Sequence, residues 1–96
     1  MSASVESGVS AEEQVCSWGF RKVYTWEDHG DDYYKPHTHS TLTTHLILTG
    51  TLTIKYPEDD PNKMEMFGPG SRIDVPAGKV HEVWVGRKGC KYVIGE

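Results

Sequence analysis

Ninety-six residues are enough chain for one domain with one modest core, since a domain of this size buries roughly 60 to 65% of the surface its unfolded chain exposes. The net charge is −4, and the Lys and Arg residues are scattered rather than clustered. No basic stripe is present for a phosphate backbone, which excludes nucleic acid as the natural partner. No apolar run approaches the ~20 residues of a spanning helix and nothing resembles a signal peptide, so no membrane partner is expected.

Two cysteines, Cys16 and Cys90, allow at most one bridge, and neither has a CxxC or zinc-finger neighbour. A reducing, cytoplasmic compartment is the expectation, with both thiols as buried or surface groups rather than catalysts. Acidic residues concentrate in Glu27, Asp28, Asp31 and Asp32 and again in Glu58, Asp59 and Asp60. Their flanking turn signals read as solvated loops rather than cation sites.

The mean hydropathy is −0.55, and much of that polarity lies in the first fourteen residues. Residues 1–14 carry no sustained apolar period and read as a disordered arm, although Ser10-Ala11-Glu12-Glu13 would suit the cap of a short helix. Residues 15–96 are expected to form the domain. From Trp18 to Trp26 the aromatic residues alternate with polar ones, which reads as a strand. The stretch from Glu27 to Lys35 is polar, contains Gly30 and ends in Tyr33-Tyr34, so a loop is expected before Pro36 extends the chain.

Leu42 to Thr49 reads as a strand, with Gly50 as a bulge or bend and Thr51 to Tyr56 as its continuation. The sequence PEDDPN from Pro57 to Asn62 is a dense turn signal, and Lys63 to Phe67 returns as the second arm of a hairpin. Arg72 to Val75 is a further strand, followed by a β-turn at Val75-Pro76-Ala77-Gly78. Val80 to Val85, a turn at Gly86 to Gly89, and Cys90 to Ile94 complete the chain. Seven or eight short strands and no convincing helix indicate an all-β sandwich or closed barrel.

Four of the five histidines fall in two places, His37, His39 and His45 in one stretch and His81 in a later one. His37-x-His39 on an extended segment puts two imidazoles on one face about 6 to 7 Å apart along the backbone, close enough to converge on one ion. His81, after a tight turn, is placed to close a triad. Strand alternation sets His45 on the face of Thr43, Ile47 and Thr49, and sets Leu42, Thr44, Leu46 and Leu48 on the other. A polar, hollow histidine face and an apolar outer face follow. The outer face, with Trp84, needs a cover from the N-terminal aromatic strand or a second subunit, and a homodimer is expected.

These residues resemble the cupins, whose two motifs are G-x5-H-x-H-x3,4-E-x6-G and G-x5-P-x-G-x2-H-x3-N. His37, His39 and Gly50 match the first, and Gly70, Pro76, Gly78 and His81 match the second at every spacing. The resemblance spans about Gly30 to Val85 and implies an all-β, single-domain small barrel of the double-stranded β-helix or jelly-roll type. It implies a divalent metal held by His37, His39 and His81. Thr43, or Thr44 at the longer spacing, stands in place of the family glutamate, Val85 replaces the closing asparagine, and Gly30 sits one residue too far before His37.

Without that carboxylate, either three histidines hold the ion with open positions, or His45 joins as a fourth ligand. Otherwise His45 is a catalytic acid or base in the pocket, or an interior hydrogen-bonded residue. Imidazole donors suit Fe, Zn, Ni, Mn or Cu alike. The ligand set resembles that of three-histidine cupin dioxygenases, which implies a metal-dependent oxidoreductase acting on a small polar or anionic molecule. The alternative is a non-catalytic small-molecule or sugar-binding cupin whose metal is structural or anchors a ligand. Among secondary candidates, Tyr33 and Tyr34 stand near the expected barrel mouth and Arg72 suits a carboxylate clamp. Glu82 points away from His81 on parity, and Met64, Met66, Trp84 and Tyr92 read as core or interface.

Overall fold

The computed structural model describes residues 8–96, with side chains from Ser10 onward. Helix α1 (Gly8–Ser17) is followed by strands β1 (Val23–Asp28), β2 (Tyr33–His37), β3 (Thr43–Lys55), β4 (Glu65–Phe67), β5 (Arg72–Val75) and β6 (His81–Gly95). The expectation of an all-β jelly roll holds for everything after the helix. The expected continuation through Gly50 is found as one long strand, β3; the two strands expected at Val80 to Val85 and Cys90 to Ile94 are also one, β6; and β2 begins inside the stretch expected as a loop.

Those two long strands organise the fold. The first half of β3 pairs with β5 on one side and with the second half of β6 on the other, and β1 pairs with that same half of β6. The second half of β3 pairs with β4 and with the first half of β6, which in turn pairs with β2. Two antiparallel layers result, β1-β6-β3-β5 and β2-β6-β3-β4, sharing their central strands at a bend. The expected closed barrel is not formed: the path β1-β6-β3-β4 ends at β1 and β4 without joining them.

The bend explains why simple alternation fails across the whole strand. Between Ile47 and Thr49, β3 advances two residues while β6 advances one; between Gly50 and Leu52, β3 advances two while β6 advances five. Inward residues of β3 therefore pass from the odd positions His45 and Ile47 to the even positions Leu52 and Ile54, and those of β6 from Val83 and Val85 to Cys90 and Tyr92. The Gly86 to Gly89 segment, expected as a turn between two strands, is the outward excursion that permits this change. Gly50 and Gly89 both take positive φ, 80° and 85°, a conformation glycine adopts without a Cβ penalty.

The main core lies between the layers, with Ile47, Leu52, Ile54, Ile73, Val75 and Val85 buried there. A second cluster lies outside the β1-β6-β3-β5 layer, where Leu46 and Val93 pack on Ala11 and Val15 of α1, with Trp18, Phe20 and Leu48 around them. The cover on this face comes in part from α1 and in part from the expected aromatic stretch, through Trp18 and Phe20, while Leu42 stays exposed. Residues 8–14 of the expected arm belong to that helix, because Ala11 and Val15, one helical turn apart, are fully buried. Residues 1–7 of the arm lie outside the described residues. Trp18 and Gly19 turn back on the end of the helix through bonds to the Val15 and Cys16 carbonyls.

Candidate metal centre

His37 ends β2, His39 lies just beyond it, and His81 opens β6 directly opposite His37 in the register. The three rings meet: their centroids are 5.0 Å apart for His37 and His39, 4.2 Å for His37 and His81, and 4.9 Å for His39 and His81. One ring nitrogen from each lies within 4.8 Å of the others, and among the described residues no carboxylate, thiol or fourth histidine joins that group.

The backbone orients two of the rings. His37 Nδ1 lies 2.7 Å from the Lys35 carbonyl and His81 Nδ1 lies 2.9 Å from the Lys79 carbonyl. A carbonyl oxygen only accepts, so each Nδ1 carries the proton and each Nε2 presents its lone pair. The Pro76 to Gly78 turn is tied to this corner, since the Gly78 amide donates to the His39 carbonyl at 2.9 Å. Burial, then the neighbouring His37, pushes the His39 pKa down, and burial likewise pushes His81 down against the Lys79 carbonyl. Neutral imidazoles near pH 7 are the form that binds a metal. Three convergent imidazoles, two of them with tautomers fixed by the backbone, fit a divalent ion.

The triad opens on a cavity of about 280 Å³ between the two layers, near the lower end of small-molecule sites. Its walls are largely apolar, with Leu52, Ile54, Val75, Val83 and Ile94 among them. The expected polar hollow is therefore polar only at the histidines and at a few aromatic side chains. His45 lines the same cavity from β3, outside the triad, with its ring 5.5 Å from that of Tyr92. Among the described residues its buried Nδ1 has no hydrogen-bond partner, and burial, reinforced by His39 and His81 and opposed by a hydrogen bond to the Ile73 backbone, pushes its pKa down to about 4. Thr43, at the position of the missing glutamate, is buried at 2% exposure, and among the described residues its hydroxyl has no hydrogen-bond partner. Thr44 faces away and donates to Asp74 at 2.6 Å.

One group of residues went unrecognised in the sequence. Asp28 closes β1 as a buried residue, not as part of a solvated loop. It accepts hydrogen bonds from Trp26 Nε1 at 2.9 Å, Tyr34 Oη at 2.5 Å and Tyr92 Oη at 2.6 Å. Trp26, Tyr34 and Tyr92 all line the cavity. Burial and the Asp28 contact push the Tyr34 hydroxyl up to about 12 and push Tyr92 up as well. The readable signal was the period-2 set Tyr24, Trp26 and Asp28 on one face of a strand.

Other candidates lie elsewhere. Arg72 stacks over Trp18 at 3.9 Å and pairs with Asp74 at 3.0 Å, so it does not reach the cavity. Glu82 accepts from the Tyr33 hydroxyl at 2.5 Å, in keeping with its outward parity. Met64 and Met66 are exposed rather than core.

No family model matches the sequence, and no curated protein does. Among solved structures, the polyketide cyclase RemF from Streptomyces resistomycificus is similar with a TM-score of 0.65 and 23% identity, over 75% of this chain and 50% of that one. A cupin-2 domain protein from Shewanella frigidimarina has a TM-score of 0.63 and 21% identity, over 77% and 67% of the two chains. The DMSP lyase DddQ from Ruegeria pomeroyi has a TM-score of 0.63 and 19% identity, over 75% and 35%. The chain thus spans half the length of the first of these proteins and about a third of the last.

Proposed function

We propose that this chain, which has the cupin double-stranded β-helix fold, is a divalent-metal enzyme acting on a small molecule with an apolar body and one anionic or electron-donating end. The observation that carries this reading is the convergence of His37, His39 and His81 at one end of a small, mainly apolar cavity. His37, His39 and His81 would hold the ion, which when bound supplies a Lewis acid of undiminished charge, since among the described residues no carboxylate joins the ligands. Leu52, Ile54, Val75, Val83 and Ile94 exclude water and seat the apolar body. His45 lines the cavity outside the triad and is the proposed acid–base group there, a weak base because burial holds its pKa at about 4. Tyr34 and Tyr92 do not serve as bases near neutrality, because both hydroxyls donate to Asp28.

Oxidoreductase chemistry of the dioxygenase type is the first reaction to test. Protein purified without chelator is expected to carry close to one equivalent of a divalent metal, and to consume oxygen with at least one of a panel of small thiols, diketones and phenols. Absence of bound metal, even after reconstitution with Fe(II), Zn, Ni, Mn or Cu, sinks the metal reading. Metal without turnover across the panel favours a second reading, a non-catalytic binding module, to which the replacement of the glutamate by the uncharged Thr43 points.

A further inference from the structure

We propose that Asp28 is a positioning residue which sets the hydrogen-bonding sense of the cavity wall, so that the site selects ligands carrying a hydroxyl or ammonium donor on an apolar body. Each phenol has a single proton. Tyr34 gives its proton to Asp28 Oδ1 and Tyr92 gives its proton to Asp28 Oδ2, while the Trp26 indole donates to Oδ1 as well. A carboxylate can only accept, so none of these protons is free to turn toward the cavity. Tyr34 is also hydrogen-bonded to Trp26 and Tyr92, so a ligand group that reaches Tyr34 Oη or Tyr92 Oη meets oxygen lone pairs and no free proton.

The geometry makes this a fixed property. Asp28 is 6% exposed at the last position of β1, where its backbone pairs with Cys90 of β6. Tyr34 on β2 and Tyr92 on β6 come to the same carboxylate from both layers, and both side chains line the cavity that the triad opens on. A ligand acceptor placed against these oxygens would be repelled and left unpaired, which costs more than a neutral hydrogen bond contributes. The inference deepens the small-molecule reading above and rests on it for the identity of the cavity, but not on the metal.

Phenol and anisole carry the same ring and differ in whether the oxygen can donate. Their binding is read by NMR titration of the full chain, following the Trp26 indole N–H, assigned with a Trp26→Phe variant. The titration is run on protein kept metal-free with EDTA and on zinc-loaded protein. Phenol is expected to bind about fivefold more tightly than anisole in both, the worth of one neutral hydrogen bond. In Asp28→Asn the new amide N–H₂ donates to one phenol oxygen and turns that hydroxyl proton toward the cavity, so the preference should shrink to parity or reverse. Tyr34→Phe and Tyr92→Phe remove one acceptor each and reduce the preference without reversing it.

A merely structural role for Asp28 would weaken both probes by the same factor and leave their ratio unchanged. Equal affinity of the two probes for the wild-type chain, failure of both to bind, or an unchanged ratio in Asp28→Asn and in both Phe variants overturns the proposal. Zinc stoichiometry is measured on the same samples. Loss of zinc binding with the phenol preference intact would fell the metal reading and leave this one standing.

Discussion

Burial and two neighbouring imidazoles hold His45 neutral well below the ordinary histidine range, with a pKa of about 4. The unfolded chain returns this ring to about 6.5, so between these values the unfolded state binds more protons than the folded one. Its contribution to stability is therefore complete above about pH 6.5 and is lost as pH falls through about 4. His39 and His81 are shifted in the same direction and steepen the same window. In chelator-treated protein the urea midpoint is expected to fall as pH drops from 7 to 4, and His45→Leu should flatten that slope. A His45→Leu profile parallel to wild type would show that the ring is not held neutral by the fold.

At the scale of elements, the bend in β3 and β6 decides which side chains enter the cavity, and one glycine contact holds it. A Cβ on Gly50 would lie 2.0 Å from the Gly89 carbonyl oxygen and 2.8 Å from the Cys90 Cα, with φ already at 80°. Both neighbours are backbone, so neither can rotate away. Gly50→Ala is expected to destabilise the fold by roughly 2 to 4 kcal/mol, measured by urea denaturation, whereas a loss below about 0.5 kcal/mol would mean that the strands slide freely here. Gly50 was legible as a bend because glycine inside an apolar alternation has few other uses. Its consequence was not legible, since the parity change depends on how far β6 advances opposite it. The histidines were legible through their spacing and the Pro76 to Gly78 turn. Helix α1 was hidden because only Ala11 and Val15 mark its buried face. Asp28 was hidden because it sits beside Glu27 and near Asp31 and Asp32, and a buried carboxylate cannot be told from a solvated one without its three donors.

The whole molecule brings the triad together from distant parts of the chain, His37 and His39 flanking the end of β2 and His81 opening β6. An ion held by all three would tie these segments in the folded state only, so metal affinity becomes folding stability. At a free zinc concentration of about 100 times Kd the gain is roughly 2.7 kcal/mol. For a domain of this size that amounts to a rise in Tm of about 10 to 20 °C. EDTA should return the Tm to its starting value. His37→Ala and His81→Ala are each expected to abolish most of the zinc-dependent rise, because two imidazoles remain and neither variant has a carboxylate in the group to replace the lost donor. His45→Ala should keep the rise, since its ring nitrogens fall outside the converging set. Equal loss in His45→Ala and His81→Ala would make His45 a fourth ligand and remove it as the proton acceptor of the cavity.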